Sequence, residues 1–139
     1  MDKIRVLLDE GAFLPERAHE LDAGYDLRTP TKLFVPAHGY AVVNTGVHME
    51  IPAGYVGMLK SKSGLNVKYD LTGEGVIDAG FSGAIVAKIY NHGTNDYLFE
   101  RGDKLIQIVI VPVLTPDLEL ADKLWDSERG ENGFGSSGK

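Results

Sequence analysis

The chain has 139 residues, 43% of them hydrophobic, a formal charge of −6 and no cysteine. This is enough for one domain burying roughly 68–70% of its unfolded surface, and the absence of thiols excludes a disulfide framework, thiol catalysis and thiolate metal sites. The acidic balance argues against wrapping duplex nucleic acid, where affinity comes from phosphate neutralisation, and no apolar run approaches the ~18–20 residues that span a membrane.

In chain order, the segment Met1–Glu10 carries an apolar run too short for a secretory core and interrupted by acids. A soluble cytoplasmic protein, with neither nucleic acid nor membrane as partner, is therefore expected. Within that segment Ile4, Val6 and Leu8 alternate with polar residues, the period of a half-buried strand. Lys32-Leu33-Phe34-Val35 reads as a strand that stops at Pro36. A longer β-rich run covers Tyr40 to Ile51 and ends at Pro52-Ala53-Gly54, a turn signal. Further runs cover Tyr55 to Leu59, Gly83 to Tyr90 and Leu105 to Val113, each rich in β-branched or aromatic residues and bounded by turn formers. One short helix after Ser63-Gly64 is the limit of the helical signal. Many short strands at fairly regular spacing predict an all-β jelly roll or barrel. The composition breaks only at the end, where Arg129 through Lys139 is rich in Gly and Ser around a lone Phe134. Such a stretch cannot offset its own ordering entropy. It reads as a frayed terminus, or as a segment suited to gripping a phosphate and a flat ring.

Five segments concentrate the chemistry. They are Ala23-Gly24-Tyr25-Asp26-Leu27, Lys62-Ser63-Gly64-Leu65, Gly75-Val76-Ile77-Asp78-Ala79-Gly80-Phe81-Ser82-Gly83, Arg101-Gly102-Asp103-Lys104-Leu105-Ile106-Gln107, and Arg129 through Gly138. Asp78, at the end of an apolar run and before a Gly-rich turn, reads as a turn residue or as a carboxylate able to orient a water. Phe81 reads as a core aromatic or a ligand wall. Ser63-Gly64 is an ordinary turn or a phosphate loop in which glycine admits close backbone approach. Gln107 sits in a strand whose polar face ordinarily points to solvent. The histidines at 19, 38, 48 and 92 show no ligand spacing and read as surface or loop residues.

Taken together and in this order, the five segments resemble the motifs of the homotrimeric dUTP pyrophosphatase family, and the resemblance spans nearly the whole chain. It implies a distorted jelly-roll barrel with strand and tail exchange in a trimer, a body over residues 1–128 and a flexible C-terminal lid over 129–139. It implies Mg2+-dependent hydrolysis of dUTP to dUMP and pyrophosphate, with three sites shared between subunits. By the same resemblance Asp78 is the catalytic residue, orienting water toward the α-phosphorus. Lys62, Ser63, Gly64 and Gln107 meet the phosphates, with Arg129, Gly135 and Ser136 from the tail. Gly75, Val76 and Ile77 belong to a hairpin, begun at Leu71, whose main chain reads uracil. Phe81 packs against deoxyribose, Phe134 stacks on the base, and Asp26 touches the metal through water.

Two positions depart from the commoner family pattern. Phe81 stands where many members carry Tyr, which keeps the steric wall but loses a hydroxyl. Lys62 stands where many carry Arg, which keeps the charge but not the two-pronged geometry. Two other readings compete with this one. dCTP deaminases share the fold but need a carboxylate where this chain has Lys88. A dUTPase-like regulatory nucleotide-binding module is the other alternative, although Asp78, Ser63 and the tail are all retained.

Overall fold

Hydrophobic alternation becomes antiparallel sheet almost throughout. The computed structural model describes residues 3–135 and 137–138. Its strands are β1 (Val6–Leu8), β2 (Gly24–Arg28), β3 (Leu33–Val35), β4 (Tyr40–Asn44), β5 (Val47–Met49), β6 (Tyr55–Lys60), β7 (Leu71–Thr72), β8 (Gly75–Ile77), β9 (Val86–Asn91), β10 (Tyr97–Phe99) and β11 (Lys104–Pro112). One helix, α1 (Ser63–Tyr69), interrupts them. The all-β expectation holds. The strands divide among a four-stranded sheet ordered β2-β11-β6-β8, a three-stranded sheet ordered β4-β9-β7, and the two-stranded ribbons β1-β5 and β3-β10. Among the described residues no single ladder runs through all of them to close a barrel. No helix of the described residues is long and apolar enough to cross a membrane.

The sheets face one core that includes Leu27, Val35, Val47, Leu59, Ile85, Ile89, Phe99, Ile106 and Ile108, each at most 2% exposed. Along β9 the alternation is strict, with Ala87, Ile89 and Asn91 pointing inward and Val86 and Tyr90 outward. β11 is the axis of the larger sheet, pairing β2 on one edge and β6 on the other. Gly57 of β6 lies where the core is tightest. A Cβ there would stand 2.7 Å from Ile51 Cδ1, 2.8 Å from Ile108 Cδ1 and 3.2 Å from Ile77 Cβ. Gly57→Ala is therefore expected to destabilise the fold by about 1–3 kcal/mol through overpacking, read as a lower urea midpoint at unchanged slope. An unchanged midpoint would mean that the three isoleucines repack freely.

Two details differ from the sequence reading. The run Tyr40–Ile51 is not continuous: Gly46 turns the chain at φ 70°, with its N–H donated to Asn44 Oδ1 at 2.8 Å. Thr45, fully buried at that turn, donates its hydroxyl to the Ile85 carbonyl at 2.7 Å. The break sends β5 to pair with β1 while β4 pairs with β9. Likewise, the expected hairpin at Leu71–Val76 is a crossing. β7 joins β9 and β8 joins β6, so the segment bridges the two larger sheets. Gly73 makes the crossing possible, since a Cβ there would meet Ile106 Cδ1 at 2.7 Å and the Lys88 carbonyl at 3.0 Å.

The C-terminal segment leaves the body early. Val113 N–H to the Gly54 carbonyl, at 2.9 Å, is the last hydrogen bond tying the chain's end to the body among the described residues. Every described residue from Val111 onward is exposed.

Candidate functional site

Asp26 is the electrostatic centre of the first cluster. Its side chain is 5% exposed, and a carboxylate that far from water requires charged partners. It has two. Lys62 Nζ donates to Oδ1, and Lys104 Nζ lies 3.2 Å from Oδ2. Lys104 pairs with Arg28 at the start of the β11–β2 ladder, and a register shift follows between Lys104 and Ile106. Two cations on one anion leave a local excess of positive charge, and Lys104 remains partly exposed.

Gln107 closes the floor of this cluster. It faces Asp26 in the β11–β2 register, and its Nε2 donates to the Ser61 carbonyl at 2.9 Å. The side chain lies directly over Gly24: a Cβ there would fall 1.9 Å from Gln107 Oε1. Glycine in the first segment thus makes room for the glutamine of the fourth. Ser61 Oγ accepts from Gly73 N–H at 3.0 Å, joining the second segment to the crossing between β7 and β8. Beside it, Lys60 and Glu74 pair at 2.7 Å, and the ammonium holds the Glu74 carboxyl below the usual range.

The second segment bends at Lys62, whose backbone is extended, and the helix begins at Ser63. Asn66 N–H donates to the Lys62 carbonyl at 2.9 Å. Ser63 and Gly64 are exposed, and no heavy atom stands within 4 Å of a Cβ built on Gly64. The helix stops at Asp70, which takes the left-handed conformation at φ 59°.

Asp78 and Phe81 form a separate group. β8 ends at Ile77, and a turn follows in which Phe81 N–H donates to the Asp78 carbonyl at 3.2 Å while Gly80 sits at φ 86°. Asp78 is exposed. Phe81 is 45% exposed and lies across Gly83, where a Cβ would come within 2.6 Å of its Cζ. Val76 of β8 points to solvent, and Gly75 packs on Leu59.

The structure brings the first, second and fourth segments together at Asp26, Lys62 and Gln107, with Gly75 of the third nearby opposite Leu59, but it leaves Asp78 and Phe81 of the third apart. β8 runs antiparallel to β6 with Ile77 opposite Gly57, so Asp78 lies at the beginning of β6. Lys62 and Ser63 lie beyond its end. At ~3.3 Å per residue the two groups are roughly 15 Å or more apart. The tail joins neither group. Arg129 turns on its own segment, donating from Nε to the Asn132 carbonyl at 2.6 Å, and Phe134 is fully exposed. Gly135 takes φ 81°, and Ser136 lies outside the described residues.

Sequence reasoning missed three participants. Lys104 had a signal, a cation within the fourth segment at the start of the strand carrying Gln107, but its partner Asp26 is remote in sequence. Ser61 had none. His48, read as a surface or loop residue, is instead a half-buried member of β5; His19, His38 and His92 are exposed as expected.

A family model described as dUTPase matches residues 10–138. The deoxyuridine 5'-triphosphate nucleotidohydrolase of Solanum lycopersicum is 39% identical over 132 residues, covering 94% of this chain and 78% of that protein. Among solved structures, a mutant of the Staphylococcus bacteriophage 80alpha dUTPase with dUpNHpp superposes with a TM-score of 0.89 at 34% identity, covering all of both chains. A mutant dUTPase from phage phi11 of S. aureus, whose structure reveals the coordination of a structural Mg(II) ion, gives a TM-score of 0.80 at 34% identity, covering 88% of this chain and 98% of that one.

Proposed function

We propose, from the premise that this chain belongs to the dUTPase family, that it hydrolyses dUTP to dUMP and pyrophosphate at sites shared between the subunits of a homotrimer. The observation that carries the reading is the arrangement along β6. Asp26, Lys62 and Gln107 converge at one end, and Asp78 with Phe81 stands at the other. A nucleoside triphosphate cannot engage both groups of one chain at the same phosphorus. Two copies related by cyclic symmetry can bring one group to the other, and a third can supply the tail.

In the assembled site, Lys62, the hydroxyl and amide of Ser63, Gly64 and Gln107 receive the phosphates. Arg129, Gly135 and Ser136 cover them from a neighbouring tail. Gly75, Val76 and Ile77 present main-chain groups to uracil, Phe81 packs against C2′ of deoxyribose, and Phe134 stacks on the base. Asp78 accepts a hydrogen bond from a water molecule and holds it in line with the α-phosphorus. The water oxygen bonds to phosphorus as the bond to the β-phosphate bridging oxygen breaks. The proton passes to Asp78 and on to solvent, while pyrophosphate leaves with its charge met by Lys62, Ser63 and Arg129. Closing of residues 129–139 over the site excludes water.

Magnesium fits this donor set as a cation that arrives on the triphosphate. Asp26, the one buried carboxylate among the described residues, has both oxygens held by lysines, so it would meet a hydrated cation through water once a lysine turns from it to the phosphates. When bound, the ion supplies charge neutralisation along the triphosphate. A pyrophosphate-release assay with magnesium, run on dUTP, UTP, dTTP and dCTP in parallel, is expected to give release from dUTP alone, abolished by a chelator. Bound but uncleaved dUTP would instead make the protein a nucleotide-binding regulator.

A further inference from the structure

Among the described residues, His48 makes the one hydrogen bond between the turn after β8 and the rest of the chain before Ile85. The ring stands on β5 opposite Leu7, with its side chain 21% exposed. Nδ1 is 2.7 Å from the Ser82 carbonyl oxygen and Nε2 is 3.0 Å from Asp9 Oδ1. Both partners are acceptors: a carbonyl oxygen has no proton to give, nor has an ionised carboxylate. Only an imidazolium, with N–H at both nitrogens, satisfies both contacts. Any neutral tautomer leaves one ring nitrogen with its lone pair facing an oxygen.

The contact matters because the turn has little else. Among the described residues from Ala79 to Ala84, the other hydrogen bond is internal, from Phe81 N–H to the Asp78 carbonyl. Regular attachment resumes at Ile85, whose N–H donates to the Val47 carbonyl at 2.8 Å. Phe81 does not pack into the core. It stands at the side of an open groove of about 510 Å³ shared with Leu7, His48 and Met49. The ring's position is therefore set by the backbone of the turn, and Ser82, next in sequence, is the point at which that backbone is fastened.

We propose that His48 is a positioning residue whose imidazolium fastens the Phe81 turn to the β1–β5 ribbon, making discrimination between deoxyribose and ribose fall as pH rises. The proposal rests on the reading of Phe81 as the wall against the 2′-hydroxyl. The charged groups around the ring favour the cation. Asp9 faces it from the segment after β1, Arg5 and Glu50 beside it neutralise one another at 2.6 Å, and the turn from Ala79 to Gly83 carries no charge. The Ser82 carbonyl first, then Asp9, raise the imidazole pKa above its ordinary value against a smaller desolvation effect. The sign follows from that direction. The fastening is complete below the pKa of a free histidine and is lost as pH rises through the raised value.

The test measures kcat/KM for dUTP and UTP from about pH 5.5 to 9, with His48 followed by NMR over the same range. The wild-type dUTP/UTP ratio is expected to fall roughly fivefold as His48 loses its proton, the scale of one net hydrogen bond at the turn, carried mainly by a gain on UTP. His48→Gln, which keeps one donor for Ser82, should fold and hold an intermediate ratio without pH dependence. Asp9→Asn should move the whole transition to lower pH, which a merely structural histidine would not do. A ratio that stays flat across the His48 titration, or that His48→Gln leaves as pH-dependent as before, overturns the proposal. Absence of hydrolysis of either nucleotide by the wild type would refute the enzymatic reading instead. The Phe81 ring resonances then decide the fastening: movement with His48 titration upholds it, and indifference overturns it.

Discussion

Asp78→Asn is expected to bind dUTP nearly as the wild type does and to turn it over roughly 10²- to 10⁴-fold more slowly, the usual range for a lost general base. The side chain is exposed beyond the end of β8 and lacks a hydrogen-bond partner in the single chain among the described residues. Replacing it removes no core contact, so the fold should survive unchanged. The amide keeps the size of the carboxylate and can still accept a hydrogen bond from water, but it cannot take a proton. The loss should therefore fall on kcat with KM little altered. Equilibrium binding of a non-hydrolysable analogue alongside steady-state kinetics separates the two. A near-wild-type kcat would remove Asp78 from the chemistry.

Removing residues 129–139 should leave a folded trimer with little activity, whereas removing 113–139 should abolish the trimer itself. The argument turns on where the apolar side chains lie. Between Val113 and Glu128 the chain exposes Leu114, Leu118, Leu120, Leu124 and Trp125, at 83–101% of their surface. Burying side chains of this kind is worth about 1.5–3 kcal/mol each, so an arm carrying five of them is a strong link when it docks on another copy. Beyond Arg129 only Phe134 remains, and its proposed contact is with the ligand. Sedimentation of the two truncated chains separates the roles. Trp125, the sole tryptophan, offers a second readout, since its fluorescence should shift to shorter wavelength in the trimer relative to a dissociated subunit. If the chain ending at 128 sediments as a monomer, residues 129–139 are a structural strap and not a lid.

Local patterns carried much of the fold. Alternation along Val86–Asn91 and the β-branched run from Leu105 identify strands because side chains in a sheet repeat every two residues, whatever the partner. Pro36 stops β3 for a reason contained in its own backbone. The partners were not legible. Thr45-Gly46 within an otherwise continuous β-rich run divides two strands that go to different sheets. Leu71–Val76 has the composition of a hairpin, yet β7 and β8 pair with other strands. In both cases the decision lies in contacts with Ile85, Ile106 and Lys88, far along the chain.

The candidate site divides in the same way. Residue types in an ordered set of five segments were sufficient to indicate the family, because a phosphate loop, a carboxylate before a glycine turn and a stacking ring each require particular side chains in particular local conformations. What the sequence by itself determined is therefore a list of candidates: Asp26, Lys62, Ser63, Asp78, Phe81, Gln107 and the tail. The tertiary structure decided how it is distributed. Strand register sets Asp26 between two lysines and Gln107 over Gly24, it holds Asp78 at the far end of β6, and it turns His48 toward Ser82. The reason is physical. A side chain's chemistry belongs to one residue, whereas register is chosen by the burial of every core residue at once, so a single residue and its neighbours in sequence hold no record of which distant group will face it.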